Sequence, residues 1–100
     1  MRFKVELERD VVWFIRKVCG PAARKAFYEQ LERVRAEPIA NSEAYADPEK
    51  SRYMLRVFRF AHYVAIFGYD PARNLIQVAE CRPSKLQPRG ARPKNNGRSP

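Results

Sequence analysis

Three apolar runs that follow one another with only short turns between them decide the fold of this chain. They read RYMLRVFRF (residues 52–60), HYVAIFGYD (residues 62–70) and NLIQVAECR (residues 74–82). β-Branched and aromatic residues are frequent in the runs, which is typical of strands, and short turns join antiparallel neighbours. Basic side chains recur among them, so the predicted sheet is suited to binding a polyanion, above all nucleic acid.

The residues before these runs predict one more strand and two helices. Residues 3–7 alternate apolar and charged side chains, which is the pattern of a half-buried strand. Residues 11–18 and 21–37 carry apolar side chains at helical spacing on either side of a Gly20-Pro21 break, and they predict an antiparallel helix pair. Residues 39–51 are polar without a sustained period, which predicts a long surface loop. The expected fold class is α+β: an N-terminal strand, the helix pair, then three antiparallel strands in a small twisted sheet.

The alternation of the second predicted strand assigns its two faces. Leu55 and Val57 share one parity with Tyr53, and we expect this side to pack on the helices. Arg52 and Arg56 share the other parity with Met54, so we expect guanidinium groups on the open side of the sheet. The aromatic residues of the predicted helices are expected to pack in the core, since burial of such large side chains dominates small cores. They are Trp13, Phe14, Phe27 and Tyr28.

Charge divides the chain into two parts. The 100 residues include 20 Lys and Arg and 11 Asp and Glu, for a formal net charge of +9. Residues 82–100 hold 6 of the basic side chains and none of the acidic ones. We therefore expect one domain at residues 1–82 and a disordered basic tail, rich in Pro and Gly, at residues 83–100. The tail is either an electrostatic arm that contacts phosphates, Arg89 included, or a solvated terminus.

Several classes of protein are excluded by what the sequence lacks. No stretch approaches the roughly 20 apolar residues that cross a bilayer, and the N-terminus has no apolar secretory core. We expect a cytoplasmic protein that makes no membrane contact. Cys19 and Cys81 are far apart and no CxxC or histidine cluster accompanies them, so we expect no metal and no cofactor. Buried free thiols are the favoured interpretation, and a disulfide stays open.

The order of the predicted elements and the motif of the last three strands resemble the RelE/ParE superfamily of type II toxin-antitoxin toxins. Those toxins carry a Tyr-x-Leu-Arg-Val strand, a short turn that ends in Tyr, an apolar strand, an acidic turn and a last strand that ends in a basic residue. The resemblance covers about residues 2–82. The matching positions are Tyr53, Leu55, Arg56, Val57, Tyr63, Ile66, Phe67, Asp70, Val78 and Arg82.

The resemblance implies a growth-inhibiting toxin that a cognate antitoxin protein neutralises. RelE-like members enter the ribosomal A site and cleave mRNA, whereas ParE-like members inhibit DNA gyrase through protein contacts. The helical hairpin of ParE-like members engages gyrase, so exposed aromatic residues of the helices are alternative contacts. A third possibility is a non-toxic member that binds an antitoxin or nucleic acid. The expected partners are an antitoxin together with the ribosome and mRNA, or gyrase in their place.

Ribonuclease chemistry needs a proton acceptor for a 2′-OH, cations for the phosphorane and a proton for the leaving oxygen. The resemblance gives the charge-stabilising role to Arg56, Arg59, Arg82 and Lys85. His62 is the single histidine and lies beside the hairpin turn, where it is either a catalytic base or a solvated turn residue. Contacts with nucleic acid, including base stacking by the aromatic members, are expected from Arg52, Arg56, Phe60, Tyr63, Arg82, Lys85 and Arg89.

Two positions depart from the RelE-like pattern. Val64 stands where those toxins usually place an arginine that contacts the scissile phosphate. Pro83 and Ser84 lead into the tail, where some members have a segment with a tyrosine that stacks the substrate base. Phe60 or Tyr63 would have to stack instead. The positive charge balance favours the mRNA endoribonuclease, and the valine favours the gyrase inhibitor.

Overall fold

The computed structural model describes residues 2–45 and 54–84. Strand β1 spans Lys4–Leu7 and is followed by helix α1 (Arg9–Trp13), which continues as a π-helical segment (Phe14–Val18). Helix α2 spans Pro21–Ala36. The remaining strands are β2 (Glu43–Ala44), β3 (Met54–Phe60), β4 (Tyr63–Asp70) and β5 (Leu75–Pro83), with a 3-10 turn (Pro71–Arg73) before β5.

The strands form one sheet in the order β1-β5-β4-β3-β2. β1 pairs with β5 in parallel, and every other neighbouring pair is antiparallel. The predicted α+β class is confirmed, but the sheet has five strands where four were expected. The additional strand is β2, which lies inside the predicted loop and continues in the hydrogen bond from the Tyr45 amide to the Leu55 carbonyl, 2.9 Å long. A strand of two residues leaves no periodicity in a sequence, so the pattern could not indicate it.

Both helical segments place one apolar stripe on the same side of the sheet. Buried positions recur at helical spacing in the first segment (Val11, Ile15), at Cys19 just after it, and in α2 (Phe27, Leu31, Val34). The Phe27 ring lies at the centre, with its centroid 5.1 Å from that of Phe60 and 5.9 Å from that of Phe58. Full burial of a side chain of this size contributes about 1.5–3 kcal/mol, so these contacts hold α2 on β3.

Two of the four helical aromatic residues lie outside the core, so the predicted aromatic core cluster is wrong for them. Trp13 is 58% exposed and Tyr28 is also exposed. Phe27 is fully buried and Phe14 is half-buried against the core. Successive residues of a helix point about 100° apart, so Tyr28 turns away from the sheet when Phe27 faces it.

The predicted faces of β3 are inverted in the structure. Phe58 and Phe60 pack on the helices, and strand alternation puts Arg56 on the same side. Val57 and Arg59 therefore lie on the opposite side, which we call the open face because neither helix packs on it. Apolar residues occupy both parities of this strand. The packing of the Phe58 and Phe60 rings against Phe27 decides which side is buried.

The last strand passes the position where the sequence predicted the domain to end. β5 runs to Pro83, one residue beyond the predicted domain end, and the Ser84 amide donates a 2.8 Å hydrogen bond to the His62 carbonyl. The rest of the predicted tail, residues 85–100, lies outside the described residues. Neither helix in the described ranges is long and apolar enough to cross a bilayer.

Candidate functional site

The open face brings Arg59 and Arg82 to the two sides of Val64. The register pairs Arg59 of β3 with Val64 of β4, and Val64 with Arg82 of β5, so the three residues form one row across the sheet. Strands lie about 4.8 Å apart, which puts the two arginine backbones about 10 Å from each other. Two arginine side chains whose backbones are this far apart can both reach one phosphate above Val64.

The Arg59 guanidinium lies between two elements at the edge of the open face. Nη1 donates a 3.3 Å hydrogen bond to the hydroxyl of Ser84, which follows β5. Nη2 lies 4.0 Å from a carboxylate oxygen of Glu43 on β2. Both ionic side chains are about half exposed or more, so this pair is weak and readily exchanged for another anion.

The Arg82 guanidinium has two partners of different kinds. Nη1 lies 3.4 Å from a carboxylate oxygen of Glu80, and Nη2 donates a 3.1 Å hydrogen bond to the phenol oxygen of Tyr45. Tyr45 comes directly after β2, at the other side of the sheet from β5. The two side chains therefore reach towards each other above β3 and β4.

Two apolar residues form the floor below these polar groups. Val64 is 7% exposed and Ile66 is 5% exposed, although both side chains lie on the side of the sheet away from the helices. Neither residue belongs to the core cluster that faces the helices. An apolar floor lowers the local dielectric, which strengthens any interaction between the guanidinium groups and a bound phosphate.

The open face carries acids as well as cations. Glu43 and Glu80 flank the arginine row, so the local charge is close to balanced in the free protein. Carboxylates can accept a proton and guanidinium groups can stabilise an oxyanion, which together supply two of the three requirements of RNA cleavage. Within residues 2–45 and 54–84, no group of three or more His, Cys, Asp or Glu side chains is placed to hold a metal ion.

Arg56 is not brought to this site, in contrast to its predicted place on the open side. Its guanidinium donates hydrogen bonds to the Ser42 hydroxyl, to the Ser42 carbonyl at 2.9 Å and to the Ile39 carbonyl at 3.4 Å. These contacts fasten the segment between α2 and β2 to β3. The guanidinium is thus committed to backbone and hydroxyl acceptors on the helix-facing side.

The two aromatic residues expected to stack on bases are on the helix-facing side as well. Phe60 is 3% exposed and its ring fills the core, so the structure does not bring it to the open face. Tyr63 is half-buried with its ring 5.2 Å from Phe14 and 5.5 Å from Phe60. Phe60 and Tyr63 flank the hairpin turn, where alternation puts both on the core side.

His62 occupies the turn between β3 and β4 with an exposed side chain. The preceding Ala61 has φ 53°, a left-handed conformation that tight hairpin turns require. The His62 carbonyl accepts the Ser84 amide, which puts this turn at the same end of the sheet as Arg59. Three further predicted contacts, Arg52, Lys85 and Arg89, lie outside the described residues.

Four residues of the site were missed by the sequence reasoning: Tyr45, Glu43, Glu80 and Ser84. The parity of Glu80 with Arg82 on one strand was a usable signal, because residues two apart share a face. Tyr45 and Glu43 gave no such signal, since they come from a stretch without period. Only the pairing of β2 with β3 brings them to the open face.

Neither thiol is suited to nucleophilic chemistry. Burial raises the pKa of Cys81 to about 12, with smaller contributions from Cys19 and Glu80. Burial also raises the pKa of Cys19, partly offset by the Arg24 guanidinium. Both cysteines are free and buried, so they are protonated and act as small apolar residues of the core.

Comparison with known proteins shows a likeness in fold. No protein-family model and no curated protein sequence matches the chain. The structure is similar to a chain of the crystal structure of the archaeal RelE-RelB complex from Pyrococcus horikoshii OT3, with a TM-score of 0.67 and 19% sequence identity. The similarity covers 92% of this chain and 100% of the archaeal one. The chain therefore has a RelE-like fold, as the strand motif predicted.

Proposed function

We propose that this protein is the toxin of a type II toxin-antitoxin module and that it cleaves mRNA held on the ribosome, thereby inhibiting translation. The observation that carries the proposal is the pair Arg59 and Arg82, which flank Val64 on the open face of a RelE-like sheet. That face holds the cations, carboxylates and phenol described above. The charged side chains of this face are about half exposed and can meet an extended RNA strand.

In this mechanism the scissile phosphate sits above Val64 and displaces the weak contacts of both arginines with Glu43 and Glu80. A base removes the proton of the 2′-OH, whose oxygen attacks the adjacent phosphorus, and the 5′-oxygen leaves with a proton. The two guanidinium groups stabilise the additional negative charge of the phosphorane. They take over the role for which the family pattern would use an arginine at position 64, and Lys85 remains a proposed further cation.

Two groups are suited to the proton transfers. The Glu80 carboxylate lies on the open face 3.4 Å from Arg82 and can accept the proton of the 2′-OH. His62 was expected from the sequence as a catalytic base, and because it lies at the end of the sheet near Ser84 we propose it here as the proton donor to the leaving oxygen. Single-turnover cleavage by Glu80→Gln and by His62→Ala tests the two roles, since each role predicts a slower cleavage step in its variant.

Tyr45 lies on the open face and can take the base-stacking role that was expected of Phe60 or Tyr63. Its phenol oxygen holds the Arg82 guanidinium, and its ring lies on the open face where an unpaired base can stack on it. We assign it a positioning role towards Arg82 and a stacking role towards the substrate.

The proposal includes a cognate antitoxin as partner. The similar archaeal structure is a complex of RelE with RelB. An antitoxin with acidic side chains would cover Arg59 and Arg82 and exclude RNA by charge complementarity. Action on ribosomes places the protein in the cytoplasm.

A second candidate function is inhibition of DNA gyrase through protein contacts. The observation that favours it is that Val64 leaves the row with two cations, each already paired with a glutamate. A third outcome, a non-toxic protein that binds an antitoxin or nucleic acid, would follow if neither activity is present.

The test is induced expression of the wild type and of Arg59→Ala/Arg82→Ala, with mRNA ends mapped and gyrase supercoiling assayed in parallel. Lys25→Ala/Arg73→Ala is a matched control, because it removes the same charge from exposed positions on α2 and in the β4–β5 turn. New mRNA ends that only the Arg59/Arg82 variant loses support the ribonuclease. Growth arrest with intact mRNA and relaxed DNA supports the gyrase inhibitor.

A further inference from the structure

The outward side of the first helical segment carries an exposed indole among cations. Arg9, Val12, Trp13, Arg16 and Lys17 line one hollow of about 390 Å³. These positions recur at helical spacing, opposite the stripe that is buried in the core. Trp13 is 58% exposed, so its ring is open to a ligand. We call these five residues the Trp13 patch.

The cations of the Trp13 patch are available to an anion. Among the described residues, no carboxylate lies within ion-pair distance of Arg9, Arg16 or Lys17. Arg59 and Arg82, in contrast, each have a glutamate partner. The patch therefore presents three positive charges that have no ion-pair partner among the described residues, while Asp10 and Glu80 line a neighbouring hollow beside Trp13. This charge distribution is complementary to a polyanion.

An aromatic ring flanked by cations on several sides matches single-stranded nucleic acid. Unpaired bases stack on exposed indole rings, and neighbouring phosphates pair with arginine and lysine. Besides the indole, Val12 is the one further apolar side chain of the patch and it is half-buried, so the rest of the apolar lining comes from the methylene groups of the three cations. A protein interface is usually anchored by a larger apolar centre, and a membrane-surface helix by a longer apolar face.

We propose that the Trp13 patch binds single-stranded RNA, with an unpaired base stacked on Trp13 and phosphates held by Arg9, Arg16 and Lys17. The choice of RNA as ligand rests on the proposed function. The patch lies on the helix side of the molecule, whereas Arg59 and Arg82 lie on the open face of the sheet. Trp13 also lines a hollow with Glu80, so the patch adjoins the β5 edge of the open face. In this proposal the RNA segment bound at the patch is separate from the strand that is cleaved, and an unpaired loop of ribosomal RNA fits this role.

The test uses the fact that Trp13 is the only tryptophan of the chain. Its fluorescence is followed while the full-length Arg59→Ala/Arg82→Ala protein is titrated with a single-stranded RNA of about eight nucleotides. This background removes the arginine row of the sheet. We expect saturable quenching, because stacking of a base on the indole changes its emission.

Variants of the patch are compared by anisotropy of the same RNA carrying a dye. Trp13→Ala is expected to weaken binding about tenfold, and Trp13→Phe to retain most of the affinity because a phenyl ring still stacks. Lys17→Gln is expected to lower the slope of log K against log salt by about 0.7. Lys25→Gln, on α2 and outside the patch, is the charge-matched control and is expected to leave the slope unchanged.

Four results would overturn the inference: no quenching by RNA, equal RNA affinity of Trp13→Ala and wild type, quenching only by phosphatidylserine vesicles, or quenching only by a polyglutamate peptide. The last two would make the patch a membrane or protein contact. Quenching by RNA in a protein that never cleaves ribosome-held mRNA would keep this inference and remove the proposed ribonuclease. If RNA causes no quenching and Trp13→Ala still cleaves ribosome-held mRNA, the ribonuclease stands and this inference falls.

Discussion

Nη2 of Arg82 donates a 3.1 Å hydrogen bond to the phenol oxygen of Tyr45, although β5 and β2 are separated by two strands of the sheet. Both side chains must extend inward over the apolar floor to meet. An arginine fixed in this way has fewer conformations to lose when it binds a phosphate, so the contact pre-organises the site. Substitution of Tyr45 therefore separates the effect of positioning the Arg82 guanidinium from the effect of its charge.

Tyr45→Phe removes the phenol oxygen but keeps the ring. We expect the rate of mRNA cleavage to fall about 2- to 10-fold, corresponding to the loss of one hydrogen bond, with unchanged RNA stacking. Single-turnover cleavage of ribosome-held mRNA measures it. Tyr28→Phe, which alters an exposed phenol on α2, is the control and is expected to cleave like the wild type. Equal rates for the Tyr45 variant and wild type would remove the positioning role.

Phe27→Ala tests the packing of α2 on the sheet. The ring is fully buried against Phe58 and Phe60, so its removal is expected to lower the free energy of unfolding by about 3–5 kcal/mol. Urea denaturation followed by circular dichroism gives the value. Val18→Ala, at an exposed position of the π-helical segment, should cost less than about 1 kcal/mol. Similar losses for the two variants would contradict the core described above.

Arg56→Ala separates structural from catalytic arginines. Its guanidinium holds the segment around Ser42, and we expect a loss of about 1–3 kcal/mol in the free energy of unfolding. Cleavage at a temperature where the variant is folded should be within a few-fold of the wild type. Arg82→Ala should give the opposite result, with a rate lower by about 100-fold or more and nearly unchanged stability. If the Arg56→Ala protein is folded but does not cleave mRNA, Arg56 belongs to the catalytic site after all.

The buried Cys81 thiol predicts a dependence of stability on alkaline pH. Burial raises its pKa from 9.0 to about 12 in the folded protein, so the unfolded chain loses this proton first. The contribution is therefore fully present below pH 9 and is lost as the pH rises towards 12. Because other groups titrate in the same range, the measurement is the difference between wild type and Cys81→Ala in urea denaturation from pH 8 to 11. Parallel curves for the two proteins would show that this thiol is not buried as described.

Much of the fold followed from local patterns in the sequence. The three runs from residue 52 to residue 82 gave strands close to their observed bounds, and their motif gave the RelE-like fold that the archaeal structure bears out. Within β3, however, apolar residues stand at both parities, so alternation alone could not say which face is buried. The contacts of Phe58 and Phe60 with Phe27 decide it, and they join parts of the chain about 30 residues apart.

The candidate site was predictable only where strand register follows from the hairpins. Arg59 and Arg82 were named from the sequence, and their positions beside Val64 result from two short antiparallel connections. Arg56 and Phe60 were assigned to the open side because the face of β3 was inverted. Tyr45 and Glu43 come from a stretch without period, and their approach to the arginines depends on a two-residue strand at the edge of the sheet.

The ribonuclease site is tested by cleavage of a defined mRNA in the A site of purified ribosomes, with wild type, Arg59→Ala/Arg82→Ala and the Lys25→Ala/Arg73→Ala control. We expect a cut within the A-site codon by wild type and control, and a rate lower by at least about 100-fold in the Arg59/Arg82 variant. Intact mRNA after incubation with excess wild-type protein, or equal cleavage by all three proteins, would contradict the proposal that this arginine pair forms a ribonuclease site.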